Sequence, residues 1–249
     1  MKISIITVSY NSQDTIEDTI RSVLAQSYKD IEYIIVDGRS SDNTLDIVDK
    51  YKDKISNIIS EEDSGIYDAM NKGIRAATGD IVGILNSDDL YINTKAISTV
   101  VKTIKDKEVD CCWGDLVYVN KYNADKVIRY WKSSEFKEGL FKIGWMPPHP
   151  SFFVKREVYD KFGVFDLNFP ISADYELMLR FLERHKIEGC YIPEILVKMR
   201  EGGNSRPSLI NTFRANRECH RAQRKNGLKL NSFLIIKKPL SKIKQFLNY

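Results

Sequence analysis

The feature that most constrains this chain is the alternation running through its first ninety residues. Short runs of β-branched and aliphatic residues are each followed by a polar turn and then by a segment of helical periodicity. Ile3 to Val8, Ile31 to Val36, Ile55 to Ile59 and Ile81 to Leu85 read as strands. About Asp14 to Ala25, Asn43 to Lys50 and Tyr67 to Ala77 read as helices, the first with Ile16, Ile20, Val23 and Leu24 on one face. Strands that alternate with helices predict βαβ units, hence an α/β fold around a mostly parallel, Rossmann-like sheet flanked by helices. Ile81-Val82-Gly83-Ile84-Leu85 is almost wholly apolar. That suits a central strand covered on both faces.

After a helix predicted over Thr94 to Asp106 the pattern changes. Val109 to Val119 and Lys126 to Trp131 read as strands, and Glu135 to Met146 is irregular, with Phe136, Phe141 and Trp145 read as exposed aromatics suited to an interface. Pro147-Pro148-His149-Pro150 interrupts regular structure before a strand over Ser151 to Val154. Helices are predicted over Glu157 to Phe162, Asp174 to Arg184 and Leu209 to Arg224. The organisation is then a main domain over 1–205, with halves 1–92 and 93–205, and a basic helical extension over 206–249. A chain of 249 residues buries enough core to need no disulfide or structural metal. Cys111, Cys112, Cys190 and Cys219 have no zinc-ligand spacing and read as small buried side chains of a reducing compartment. Ile3 to Val8 is too short for a signal peptide, and no stretch approaches the ~18 apolar residues of a membrane span. A cytoplasmic protein is expected.

In open parallel sheets ligands gather beyond the carboxyl ends of the strands. Ser9, Tyr10 and Asn11 follow the first predicted strand and Asp37 ends the second. Glu61, Glu62 and Asp63 follow the third, and Asn86-Ser87-Asp88-Asp89 the fourth. A lone strand-end Asp is ordinarily a turn former or a helix cap. Several converging carboxylates repel one another unless a cation lies between them. Hard divalent ions take oxygen ligands, and Mg²⁺ sites combine one or two carboxylates with substrate phosphates. The acidic turn after a buried strand suits that chemistry. No G-x-G-x-x-G follows the first strand and no G-x-x-x-x-G-K-[ST] occurs, which argues against a dinucleotide fold and a P-loop. Gly73, inside a predicted helix, costs roughly 1 kcal/mol relative to Ala and points to close packing there.

At this point a family resemblance becomes specific. Ser4 to Asn11, Ser22 to Tyr28, Glu32 to Thr44, Gly65 to Gly73, Ala77 to Asp80 and Leu85 to Asp89 together resemble the N-terminal half of a family 2 glycosyltransferase. The resemblance weakens over Thr94 to Met146. It returns in His149 to Glu157, Gly163 to Asp166 and Ser172 to Arg180.

The resemblance implies an inverting transferase of nucleotide-diphospho-sugar fold. Asp37 would hydrogen-bond the base, uracil or guanine, with Thr7, Ser9 and Asn11 lining its pocket, and a UDP-sugar is favoured over a GDP-sugar. Asp68 would lie near ribose or diphosphate. Asp88, with Asn86 and Ser87 in the same turn, would meet the diphosphate through Mn²⁺ or Mg²⁺. Asn86 stands where the family usually carries the first Asp of Asp-x-Asp; its amide oxygen still ligates, but it is neutral. His149 is read as a distal metal ligand or acceptor contact. Asp174 would be the general base that takes the proton of the acceptor hydroxyl, or else simply the N-cap of a helix starting at Tyr175. Met199 to Ser205, with paired glycines, resembles a loop that closes over donor phosphates, where Arg200 would reach the diphosphate.

Charge adds one further expectation. Arg206 to Tyr249 holds eleven Lys and Arg and one acid, Glu218, a charge of +10; the remaining 27 basic and 33 acidic residues leave −6. Ile236, Leu240, Ile243 and Leu247 recur at helical spacing among Lys237, Lys238, Lys242 and Lys244, which suits an anionic membrane surface. Such a tail fits a glycan or polyprenyl-linked acceptor, bacterial surface polysaccharide synthesis, and a peripheral place on the inner face of the membrane. Nucleic acid is not expected, because no interleaved aromatics or known module accompany the basic residues. A nucleotidyltransferase would carry a glycine-rich basic loop where Ser9-Tyr10-Asn11-Ser12 stands. A non-catalytic relative would lack Asp88 or Asp174.

Overall fold

The computed structural model describes residues 1–202 and 209–228. The first half follows the expected alternation: β1 (Ile3–Ser9), α1 (Ile16–Leu24), β2 (Ile31–Asp37), α2 (Thr44–Asp49), β3 (Asn57–Ser60), α3 (Ile66–Ala76) and β4 (Ile81–Ile84). There follow β5 (Leu90–Tyr91), α4 (Ala96–Lys107), β6 (Cys111–Val119), β7 (Val127–Trp131), β8 (Phe152–Lys155), α5 (Arg156–Phe162), α6 (Ala173–Leu179), β9 (Gly189–Arg200) and α7 (Leu209–Lys225). Among the described residues nine strands form one sheet, in the order β3-β2-β1-β4-β8-β6-β9-β5, with β7 also paired to β6. β1 to β4 are mutually parallel, and β6 and β9 form a second parallel pair. β8 runs antiparallel between β4 and β6, which joins the two blocks.

Side chains alternate across the strands and build a core on each face. Ile6, Val8, Ile34 and Val36 pack on one side with α3, α5 and α6. Ile3, Ile5, Tyr33 and Ile35 pack on the other with α1 and α4. β4 is buried along its whole length, as its apolar sequence requires. α7 belongs to the first core: Cys219 and Ala222 are fully buried, and the Gln223 amide donates to the Phe141 carbonyl (2.9 Å) and the Tyr175 hydroxyl (2.8 Å).

Several elements differ from the sequence expectation. β3 begins at Asn57, because Ile55 closes a short 3₁₀ turn and turns into the core. The strand β9 was not anticipated. Pro193 interrupts it, and the ladder to β6 shifts register beside Gly114 and Asp115, so the proline falls at a bulge, where its missing N–H costs no ladder bond. Met199 and Arg200 therefore end a strand, and only from Glu201 does the chain turn. Phe141 is fully buried, not exposed, and its ring packs on Phe136, Trp145 and Tyr175 with centroids 5.5–6.0 Å apart. Residues 203–205 of the expected loop and the amphipathic segment from Ile236 to Leu247 lie outside the described residues. No described helix is long and apolar enough to cross a membrane.

Gly73 is where α3 meets β1. A Cβ there would lie 2.4 Å from Ile6 Cγ2. Gly73→Ala is expected to destabilise the fold by about 1–3 kcal/mol, overpacking outweighing the gain in helix propensity. Chemical denaturation checks this; a stabilised variant would mean that α3 simply moves away.

Candidate active site

The parallel block ends at one edge, and the first polar cluster forms there. Asp37, the last residue of β2, pairs with Ser9, the last of β1, and is fully buried. Its carboxylate accepts from Ser9 Oγ (3.0 Å), Ser40 Oγ (2.5 Å), the Ser40 amide (2.8 Å) and Ser60 Oγ (3.3 Å). Three of these donors are hydroxyls, which rotate to release an acceptor lone pair. Asn11 takes a left-handed conformation (φ 48°) that Asn tolerates. Its Oδ1 accepts from the Ser41 amide (2.9 Å), while its own amide donates to Ser40 Oγ (2.8 Å). Thr7 lies one layer deeper, fully buried, its hydroxyl bonded to Tyr33 Oη (3.1 Å). Ser9, Asn11 and Asp37 are thus brought together, and Thr7 sits beneath them.

The second cluster is the turn after β4. Ser87 Oγ lies 2.8 Å from Ser12 Oγ, tying this turn to the one after β1. Asp89 is fully buried; it accepts from the Arg200 amide (3.3 Å) and from Asn86 Nδ2 (3.4 Å). Burial, reinforced by the neighbouring Asp88 charge, pushes the Asp89 carboxyl well above the usual carboxylate range. Asp88 is half-buried and its carboxyl is also pushed up by burial, against the pull of Arg200 and His149. Asn86 Oδ1 is buried without a hydrogen-bond partner. Arg200, at the end of β9, reaches under the turn: its guanidinium donates to the Asp88 carbonyl (3.2 Å) and pairs with Asp18 (2.6 Å).

Because β8 is antiparallel to β4, the residues that enter β8 reach the edge that the residues after β4 occupy. His149 is one of them. Burial pulls its pKa down, while Asp174 and Asp88 both lie close enough to oppose that shift. His149 therefore stands neutral between the acidic turn and Asp174. Asp174 is not a cap: α6 starts at Ala173, so Asp174 is its second residue. One carboxylate oxygen accepts from the Tyr175 amide (2.8 Å) and from Tyr67 Oη (3.2 Å). Asp68 accepts from the Ser64 amide (3.0 Å) and faces Lys72 (3.7 Å), which also pairs with Glu61 (3.0 Å). The cation among the carboxylates after β3 is thus a lysine.

Asn86, Ser87, Asp88 and Arg200 meet at one turn, and His149 lies within electrostatic reach of both Asp88 in that turn and Asp174, with Ser9, Asn11 and Asp37 adjoining through Ser12. Sequence reasoning missed Tyr67 and Asp18, and it gave Asp89 only a place in the acidic turn, not its buried bond to the Arg200 amide. Tyr67 lies inside a motif already singled out, so position alone could have raised it; Asp18, on the exposed side of α1, carried no signal. Among the described residues no three His, Cys, Asp or Glu side chains gather closely enough to hold a metal alone. A hard divalent ion that also binds substrate phosphates needs fewer protein ligands. An amide oxygen without a donor, a desolvated carboxylate and a neutral imidazole fit such an ion.

The raised carboxyl of Asp88 has a consequence for stability. Its folded pKa lies above the unfolded value, so the folded state binds the proton more tightly, and stability falls as pH rises from about 4 through the folded pKa. Asp88→Asn removes that charge. It is expected to raise the melting temperature of the ligand-free protein at pH 7 and to leave it nearly unchanged near pH 3. Thermal melts at the two pH values check this; an unchanged melting temperature at pH 7 would mean the carboxylate is well solvated.

Residues 4–163 match the family described as Glycosyl transferase family 2. An uncharacterized glycosyltransferase of Mycobacterium tuberculosis is 33% identical over 184 residues, 72% of this chain and 68% of that protein. Escherichia coli WfaP, described as a UDP-Glc:alpha-D-GlcNAc-diphosphoundecaprenol beta-1,3-glucosyltransferase, is 34% identical over 191 residues, 73% of this chain and 70% of its own. Among solved structures, S. aureus TarS in complex with UDP matches with a TM-score of 0.66 at 18% identity, over 100% of this chain and 71% of that one. The mannosyltransferase PcManGT of Pyrobaculum calidifontis, in complex with GDP-Man and Mn²⁺, matches with a TM-score of 0.66 at 19% identity, over 99% and 69%. The structures share the fold, an α/β sheet of the nucleotide-sugar transferase kind, and the sequence match is the decisive one: this chain belongs to glycosyl transferase family 2 and is a glycosyltransferase.

Proposed function

We propose that this enzyme inverts the anomeric centre of a UDP-sugar as it transfers a hexosyl or N-acetylhexosaminyl group to a hydroxyl of a lipid-linked glycan, in surface polysaccharide synthesis. The observation that carries this reading is that His149, which enters β8 at the edge where the turn after β4 lies, is within electrostatic reach of both Asp88 and Asp174. The turn suited to a diphosphate and a carboxylate suited to deprotonating an acceptor therefore belong to one site. Residues 1–92 hold the donor and 93–205 the acceptor, with 206–249 as an extension.

Asp37 receives an N–H of the base once one of its serine hydroxyls turns away, with Ser9 and Asn11 beside it, Thr7 supporting from below, and Asp68 toward the ribose. UDP is favoured over GDP because WfaP, which shares a third of the aligned residues, is named for a UDP donor and a diphospholipid acceptor. Asp88, with Asn86 Oδ1 and His149, would hold Mn²⁺ or Mg²⁺, which supplies charge neutralisation to the departing diphosphate when bound. Ser87 keeps the acidic turn against Ser12, and Arg200, bonded to the Asp88 carbonyl and Asp18, places a cation beside that turn for the same phosphates. Asp174 takes the proton as the acceptor oxygen attacks opposite the leaving group. One of its oxygens is engaged by Tyr67 and the Tyr175 amide, so the other serves as base. The basic chain end supports a peripheral place on the cytoplasmic face of the membrane, where a polyprenyl-linked acceptor is met.

Two measurements test the reading. In titration calorimetry UDP is expected to bind with Mn²⁺ and not with EDTA, GDP more weakly, and Asp88→Ala to abolish the metal dependence; equal binding in EDTA would remove the metal. With UDP-glucose or UDP-GlcNAc and a GlcNAc-diphospholipid acceptor, Asp174→Asn is expected to lower kcat by about 10²–10⁴-fold with donor KM unchanged. Full activity of that variant would remove Asp174 as base.

A further inference from the structure

The segment from Phe162 to Ser172 delivers Asp174 to the site, yet it is irregular, apart from the last residue of α5. Its backbone groups must find partners outside any ladder. At its start the Arg180 guanidinium takes the carbonyls of Phe162, Gly163 (3.0 Å) and Val164 (2.7 Å). Next, Asn71 of α3 bonds Phe165 twice, donating to its carbonyl and accepting from its amide, both at 2.9 Å. The remainder is held by α7. Lys225 pairs with Asp166 (2.6 Å), Arg221 donates to the Asn168 carbonyl, and Ser172 Oγ donates to the Ala215 carbonyl (3.4 Å). These contacts recur at helical spacing, so one face of α7 runs along the segment.

The decisive contact in this row is Glu218. A single oxygen, Oε2, accepts from the amides of both Ile171 (3.0 Å) and Ser172 (2.9 Å), immediately before α6. The Ile171 carbonyl then accepts from Tyr67 Oη (3.1 Å), and the same hydroxyl lies 3.2 Å from Asp174 Oδ1. One proton on Tyr67 is thus shared between the peptide that Glu218 grips and the carboxylate. The Tyr67 ring is fixed against Phe165, with centroids 5.3 Å apart. From Arg206 to Tyr249, a stretch of charge +10, Glu218 is the sole acid in the sequence, and its carboxylate turns to this loop.

We infer that Glu218 is a positioning residue for Asp174, acting through the Ile171–Ser172 backbone and the Tyr67 hydroxyl, so that α7 governs turnover and not donor binding. This rests on Asp174 being the base. Glu218 touches neither substrate; it fixes the direction of a carboxylate that must meet the acceptor hydroxyl at hydrogen-bond distance. The α7 contacts named here run to the segment that carries Asp174, whereas the donor cluster belongs to β1, β2 and the turn after β4.

The test uses the full chain and the UDP-sugar assay above. Glu218→Ala is expected to lower kcat about tenfold, since small misplacement of a reacting group is costly, with donor KM and calorimetric UDP affinity unchanged. Glu218→Gln keeps one oxygen able to accept from both amides and is expected to recover kcat to within about threefold of wild type. Tyr67→Phe keeps the ring on Phe165 and is expected to lower kcat in the same way, again without change in UDP affinity. In an Asp174→Asn background Glu218→Ala is expected to add nothing, because its effect passes through Asp174. Wild-type kcat in Glu218→Ala, or a loss of UDP affinity equal to the loss of kcat, overturns the inference, as does a Gln variant no better than Ala. An Asp174→Asn enzyme as fast as wild type instead removes the base reading underneath, so the two failures are told apart.

Discussion

Because β8 runs against both of its neighbours, chain that enters it lies at the same edge as chain that leaves β4 and β6. The approach of His149 to the acidic turn follows from that reversal. A wholly parallel sheet would place at this edge only residues that follow strands: Asn11, Ser40, Asp63, Asp88. The reversed strand adds residues that precede one, and His149 arrives by that route. β9, parallel to β6, brings Arg200 to the same place as its last residue. The site is therefore assembled from both halves of the chain by strand direction, before any side-chain interaction is considered.

Electrostatics then works against the fold at this point. Asp88 and Asp89 are adjacent, desolvated and both raised in pKa, and Asn86 Oδ1 is buried without a donor. A turn selected for stability alone would place neither two carboxylates nor an orphan amide oxygen here. Arg200 offsets part of the cost, yet its guanidinium is divided between the Asp88 carbonyl and Asp18 and leaves the Asp88 carboxylate open. The cost is local, and under the proposed function a cation bound together with phosphate relieves it. A neutral Asn86 in place of a third acid keeps the unliganded turn from becoming still more costly.

Much of this was legible in the sequence, for identifiable reasons. The four parallel strands and their helices were legible because their apolar period is local. The places of Asp37, Asn86, Asp88 and Asp174 in the fold were legible because each stands at the end of a buried strand, just after one, or in the first turn of a helix. β9 was not, because Pro193 breaks the apolar run and its bulge depends on β6, far away in sequence. Phe141 was misread because an irregular segment gives no period from which to infer an inward face. The roles of Asp18, Tyr67 and Glu218 were hidden for a related reason. Each acts through a partner more than forty residues away, and no spacing along the chain encodes that.

The way α7 enters the first core also bears on how the protein is made. β1 to α3 and β4 are local in sequence and share a buried face, so this block can consolidate as it leaves the ribosome. The loop that carries Asp174 cannot, since its amides wait for Glu218 and the core around Phe141 and Tyr175 waits for Cys219, Ala222 and Gln223. The parallel block can thus form during synthesis before the segment leading to Asp174 has all its backbone partners. Completion of α7 is what gives the chain before α6 those last partners, so a local order of synthesis becomes an order of consolidation in the fold.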